Sequence, residues 1–324
     1  MIAGNLLVIV AMLSQPSLRR KETLLLVGLA FADLWSGVGF LSGGLTRLSL
    51  VLADEDTKKV TGWQCMKYFQ SIFFIVGAEC QGIMQFLISF DRMLAVTFFG
   101  FYKKLTVTYT KRLLCAVLAH ALFSAFTCFF SSYRKLRHTL VGAICLGTWA
   151  VPPWKANYYT TLSGVGGIGS VVLYVYVYAV LLVRHGKFGS NTSRQTAELQ
   201  RKFTITIGIV TLFTFFFHSI PYALVTIFGW HMSKALYVIV APYLWCTVNV
   251  NSLINIFIYI GRMSEVRAAV KAIAGCKLSL NVQVGDIRQT DDAQKRVSRA
   301  NSSNSNRLRV PKRSTTRPEL KGNK

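Results

Sequence analysis

Acidic residues are scarce in this 324-residue chain: 13 Asp and Glu stand against 37 Lys and Arg. Charge of either sign is thin, at 15% of residues, where a soluble protein carries roughly a quarter. That shortfall argues against an ordinary water-soluble globule. Proline is sparse, with 7 residues, and the apolar segments carry few breakers. The seven cysteines form no CxxC pair, which argues against a metal site. HExxH, GxSxG and paired intramembrane aspartates are all missing. Zinc-protease, serine-hydrolase and intramembrane-protease chemistry therefore lack their residues, and an enzyme is not expected. No internal repeat divides the chain, which disfavours the two-half design of many transporters. A transporter or channel is the alternative reading.

What the chain does have is apolar sequence, 52% of it, gathered into blocks. Six blocks reach the roughly 20 residues needed to cross a bilayer: 23–46, 65–90, 113–132, 157–183, 203–229 and 235–260. The opening stretch Met1–Leu13 is apolar but too short to cross alone. It lacks the basic start and small-residue cleavage site of a secretory leader. It reads as the inner part of a first helix whose outer half is missing. The expected fold is an all-α membrane protein, a seven-transmembrane helix bundle over 1–260.

The net charge of +24 raises nucleic acid as a partner, but its placement argues otherwise. With the N-terminus outside, the inner loops hold Arg19, Arg20 and Lys21; Lys103, Lys104, Lys111 and Arg112; then Arg184, Lys187, Arg194, Arg201 and Lys202. In the first outer loop Asp54, Glu55 and Asp56 balance Lys58 and Lys59. This is the positive-inside bias, and it puts the C-terminus in the cytosol. Arg134, Lys135, Arg137 and Lys155 dissent, lying outside in this reading.

Beyond Tyr259 the pattern changes. Met263, Val266, Ala269, Val270 and Ile273 share one face, while Arg262, Arg267 and Lys271 avoid it. Residues 261–276 therefore read as a short amphipathic helix on the inner leaflet. Residues 277–324, rich in Ser, Asn, Arg and Lys, read as a disordered basic tail. Pro221, deep in the sixth helix, removes one backbone hydrogen bond and predicts a kink. Cys65, at the outer end of the third helix, and Cys145, in the second outer loop, both face the oxidising side, where a disulfide persists. Cys80, Cys115, Cys128 and Cys246 lie in apolar runs and read as packing residues. Cys276 reads either as an acylation site or as an idle thiol.

The most informative residues sit at the inner ends of two apolar runs. Asp91-Arg92 closes one, and Asn251-Ser-Leu-Ile-Asn-Ile-Phe-Ile-Tyr259 closes the last. Polar groups that costly to bury mark functional sites in membrane proteins. With Gly4-Asn5 in the first helix and Leu29-Ala-Phe-Ala-Asp33-Leu in the second, they make an ordered set. That set resembles the GN, LAxAD, DRY and NPxxY motifs of rhodopsin-like G protein-coupled receptors, over most of Gly4 to Cys276. Ser17-Leu-Arg-Arg-Lys and Phe257-Ile-Tyr259 followed by Ser264-Glu-Val-Arg267 look closest to the nematode serpentine receptors of class SX. The departures are specific. Met93 replaces the DRY tyrosine and Ile256 the NPxxY proline; Ser219 stands where the sixth-helix tryptophan would be, and His120 lies near the missing fourth-helix one. The spacing from Cys65 to Asp91 is also slightly long.

The resemblance implies a plasma-membrane receptor that binds an extracellular ligand, a neuropeptide or a chemosensory small molecule, and activates a heterotrimeric G protein. It implies that Arg92 pairs with Asp91 at rest and swings towards the G protein and Tyr259 on activation. It implies that Asn5, Asp33, Asn251, Ser252 and Asn255 form a hydrated network that holds a sodium ion. Glu79, mid-helix in an apolar run, admits two readings: counter-ion for a cationic ligand, or a protonated acid bonded to a neighbouring helix. Tyr158, Tyr159, Tyr222, Phe228, Trp230, Tyr237 and Trp245 read as pocket lining or as an interfacial belt. The seventh helix has no lysine at the retinal-linking position, which argues against an opsin. Ser298, Ser302, Ser303, Ser305, Ser314, Thr315 and Thr316 read either as receptor-kinase sites that recruit arrestin or as an ordinary basic tail. The sequons at Asn191 and Asn301 would be cytosolic and unmodified.

Overall fold

The structure, a computed structural model, describes residues 1–145, 150–184, 194–228 and 234–275. The chain divides into two units, Met1–Ala274 and Gly275–Lys324, and the first carries the fold. Cys276, the tail serines and threonines and the sequon asparagines lie outside the described residues, as does the side chain of Tyr237.

A 13-residue helix α1 (Ile2–Ser14) leads through a single 3-10 turn (Pro16–Leu18) into α2 (Lys21–Leu52). Then follow α3 (Gly62–Lys67), α4 (Phe69–Thr97), α5 (Phe99–Lys104), α6 (Val107–Leu136) and α7 (Pro153–Arg184). The sixth span is composite, made of α8 (Arg194–Thr214), a π-helical turn (Phe215–Ser219) and α9 (Ile220–Phe228). Last come α10 (Lys234–Arg262) and α11 (Ser264–Ala274). Among the described residues six helical stretches are long and apolar enough to cross a membrane, and α1 is a shorter apolar helix. The chain is a multi-pass, mainly helical membrane protein with a seven-helix bundle.

Burial explains why these segments are apolar on all sides. Leu41, Leu45, Phe123, Phe126, Val172 and Phe216 are each more than half exposed. In water such a belt is an aggregation site; against hydrocarbon it is the expected outer surface. The core instead takes small and polar residues. Gly82 of α4 faces the Ser163 backbone of α7, and a Cβ there would lie 2.7 Å from the Ser163 Cα. Small residues of this kind let helix backbones approach closely in lipid.

Four features depart from the sequence reading. The block 65–90 is broken at Tyr68, whose extended backbone (φ −65°, ψ 132°) separates α3 from α4. A capping box starts α3: the Thr61 hydroxyl accepts from the Gln64 amide, and the Gln64 side chain accepts from the Thr61 amide. This extra element accounts for the long spacing from Cys65 to Asp91. Second, β1 (Lys59–Thr61) and β2 (Leu140–Gly142) pair antiparallel, Val60 opposite Val141. The Cys65–Cys145 disulfide, with Cα atoms 5.4 Å apart, ties the same region. Third, the apolar face of α11 packs on protein. Val266 and Ala269 are buried in the common core, and α11 contacts α1 and α10, a protein contact that the surface-helix reading did not include. Fourth, Lys155 is not a loop cation: it belongs to α7 and is buried.

Replacing Cys65 with serine removes a cross-link between residues 80 apart. Chain entropy puts that loss at about 4 kcal/mol. The expected outcome is a fall of several degrees in the melting temperature of the detergent-purified protein.

Candidate functional site

Arg92, in the last two turns of α4, is almost fully buried at 1% exposure. Such a cation must be paired. Its guanidinium bonds the adjacent Asp91 carboxylate through Nε at 3.1 Å and also through Nη2. Nη2 donates to the Tyr102 hydroxyl at 2.7 Å. Tyr102 belongs to α5, between the third and fourth spans. Its hydroxyl in turn faces Glu22 Oε1 at 3.0 Å and Asp91 Oδ2 at 3.1 Å. One hydroxyl proton serves one carboxylate at a time. Burial, above all, pushes the Tyr102 phenol up from its ordinary range, so it stays protonated and remains a donor. Lys21 fixes α5 from the other side, donating to the carbonyls of Tyr102 at 2.6 Å and Leu105 at 3.2 Å. Its Nζ also lies 3.4 Å from the Tyr102 ring centroid. Phe203 of α8 completes the cluster, with the guanidinium of Arg92 4.8 Å over its ring. Four elements, α2, α4, α5 and α8, thus converge on one arginine.

Deeper in the bundle, Asp33 of α2 is buried and accepts from Gln81 Nε2 of α4 at 2.6 Å. Ser252 and Asn255 of α10 flank the same carboxylate. Their side chains have no hydrogen-bond partner of full geometry among the described residues. Asn251 accepts from the Thr214 hydroxyl of α8 at 3.2 Å. Asn5 donates to the Met1 carbonyl at 3.2 Å within α1, and its Oδ1 is unpartnered among the described residues. Tyr259 is buried, with its hydroxyl likewise unpartnered among the described residues.

Glu79 has found its own cation. Lys155 Nζ lies 2.7 Å from Glu79 Oε1, and Ser124 of α6 donates to the same oxygen at 2.6 Å. The pair is internal to the protein and joins α4 to α7. Tyr222 and Trp245 meet edge-on at 5.1 Å between ring centroids, with His218 4.6 Å from Tyr222. Tyr158 is exposed and bonds His120 Nε2 at 3.0 Å.

Sequence reasoning missed Tyr102, Glu22, Gln81, Lys155, Ser124 and His218. For Lys155 a signal existed. An acid inside an apolar run needs a partner, and Lys155 was one of four basic residues that the positive-inside pattern left unexplained.

The family model described as serpentine type 7TM GPCR chemoreceptor Srsx matches residues 1–274. Among curated proteins no match is found. A match over most of the chain, aligned with a bundle whose buried arginine is ringed by four elements, fixes the assignment: the chain belongs to the Srsx family of serpentine seven-transmembrane G protein-coupled chemoreceptors.

Proposed function

We propose that this chain binds an extracellular ligand and, in response, opens its Arg92 end to a heterotrimeric G protein in the cytosol. The observation that carries this reading is the Arg92 cluster, in which Asp91, Tyr102 and Phe203 hold one buried arginine and Glu22 holds Tyr102. Orientation follows the basic loops, with the Arg92 end and the C-terminus inside. In the resting arrangement the Arg92–Phe203 contact keeps α8 against α4. Ligand shifts the balance only through its different affinity for the closed and open arrangements. Opening α8 gives up that cation–π contact and frees Arg92 to meet the G protein. Tyr259, buried beside this region, is its partner in the open state. The chemoreceptor family favours a small molecule over a neuropeptide as ligand, and Tyr222 with Trp245 offers the aromatic wall for it. Arrestin and a receptor kinase are partners of the tail in this scheme. The bundle of 1–260 is the working unit, and 261–276 is its cytosolic support.

Asp33, Asn5, Ser252 and Asn255 would hold a sodium ion. Their hard oxygen atoms suit such a cation, and three of them lack other partners among the described residues. When bound, the ion supplies the positive charge that lets the Asp33 carboxylate stay ionised.

The test is nucleotide exchange on purified heterotrimeric G proteins by the full-length chain in nanodiscs, against panels of neuropeptides and chemosensory small molecules. Exchange that rises with ligand supports the reading; none across all Gα subtypes and both panels removes it. Replacing Tyr102 with phenylalanine deletes one hydroxyl that serves Arg92, Asp91 and Glu22. A hydrogen bond to a charged group contributes about 1.5 kcal/mol, so basal exchange should rise roughly tenfold with no change in fold.

A further inference from the structure

The contact between α4 and α7 is a continuous polar seam with an ionic triad at one end and Arg92 near the other. On α7 the buried positions Lys155, Tyr159, Ser163, Gly167 and Ser170 recur every three or four residues. They form one stripe along the helix. On α4 the stripe is Glu79, Gly82, Gln85, Ser89 and Arg92, all buried. The two helices meet at several points along these stripes. Lys155 pairs with Glu79 at 2.7 Å. The Ser163 hydroxyl donates to the Ala78 carbonyl at 2.8 Å. Gly82 and Gly166 pass backbone to backbone. Ser89 and Ser170 hydroxyls lie 2.6 Å apart. Arg92 follows three residues on.

The triad is fully desolvated: the side chains of Lys155 and Glu79 are 2% and 0% exposed. Ser124 of α6 bridges them, donating to Glu79 and accepting from Lys155. Lys155 also lies 4.3 Å from the Tyr158 ring centroid, and His120 Nε2 sits 3.6 Å from the other Glu79 oxygen. A buried ion pair is a weak stabiliser beside an apolar replacement, yet breaking one partner is costly.

We propose that Glu79, Lys155 and Ser124 form a latch across α4, α6 and α7 that holds the seam in the arrangement where Arg92 is paired with Asp91. Lys155 is thus a positioning residue for the switch, acting on Arg92 through the seam. Releasing the latch lets α7 shift along α4. The Ser89–Ser170 contact carries that shift towards Arg92, and the close approach of Gly167 to Ser219 carries it to the π-helical turn of the sixth span. This rests on the receptor reading for its meaning, but its test does not require a known ligand.

The test uses the full-length chain in nanodiscs, with Cys115, Cys246 and Cys276 replaced by serine and spin labels at Thr108 of α6 and Ile205 of α8. Melting temperature and the distance distribution between labels are measured without ligand. Glu79→Gln or Lys155→Met alone should lower the melting temperature and enlarge the wide-distance population at least threefold. The double variant, which leaves no unpaired buried charge, should recover the melting temperature yet keep the enlarged wide population. A double variant with both at wild-type values makes the triad a static staple and overturns the latch; so do single variants that change neither readout. Should these variants fail to fold, Ser124→Ala is expected to double the wide population, and no change there also overturns it. G protein nucleotide exchange is recorded in parallel. Widening without exchange keeps the latch and removes the G protein reading, so the two fail separately.

Discussion

Replacing Arg92 with alanine should bring receptor-driven nucleotide exchange down to the rate of the G protein alone, while the inner end of α8 becomes freer to move. The two effects run in opposite directions because Arg92 serves both states. At rest it is the hub for Asp91, Tyr102 and, through its face-on contact, Phe203. Alanine removes all three contacts, so α8 loses a tether worth about 2 kcal/mol when desolvated. In the proposed open state the same guanidinium is the group offered to the G protein. Truncating one partner of a buried charged hydrogen bond costs about 2–5 kcal/mol, which is roughly a 30-fold or greater loss of coupling. Spin-label distances from α6 to α8 and exchange assays on the same samples separate the effects. A variant that couples like wild type would remove Arg92 from the mechanism. One that loses coupling with an unchanged α8 distance would limit it to G protein contact.

How much of this was readable from residues depended on cost. Asp91-Arg92 stood out because charges ending an apolar run are expensive wherever the chain goes. Asp33 stood out for the same reason. The six apolar blocks fell on the six long spans, but their edges missed the helix ends by up to nine residues, because helices continue past the last apolar residue. Lys155 shows the consequence. It sits two residues outside its block, where a lysine reads as loop, yet helix α7 begins at Pro153 and carries it inward. Tyr102 was hidden by context, since an aromatic beside Lys103 and Lys104 at a membrane edge reads as an anchor. The kink expected at Pro221 takes the form of a π-helical turn just before it. One extra residue in a turn leaves no trace in a 3.6-residue hydrophobic pattern. Pro242, inside α10, also escaped notice. The β1–β2 pair was invisible because three-residue strands have no periodicity to read.

The second large effect lies on the seam itself. Replacing Gly82 with leucine should sharply lower the stability of the bundle. A Cβ at Gly82 would lie 2.7 Å from the Ser163 Cα and 3.2 Å from the Leu162 carbonyl oxygen. Both are backbone atoms, so no rotamer change relieves the overlap and α4 must move away from α7. Overpacking a tight site costs about 1–3 kcal/mol even for small additions. Separating the helices also strains the Ser163–Ala78 and Ser89–Ser170 hydrogen bonds, each contributing about 1 kcal/mol. A total of about 3–5 kcal/mol corresponds to a fall of roughly 6–15 °C in melting temperature for a bundle of this size. Gly44→Leu is the control. Nothing lies within 4 Å of a Cβ at Gly44 on α2, so the same side chain there should leave the melting temperature within about a degree or two of wild type, slightly raised by helix propensity. Equal losses at both positions would mean that leucine harms these helices generally. A loss confined to Gly82 means that the α4–α7 approach is the constraint, and that the polar contacts above and below it depend on a side chain that is not there.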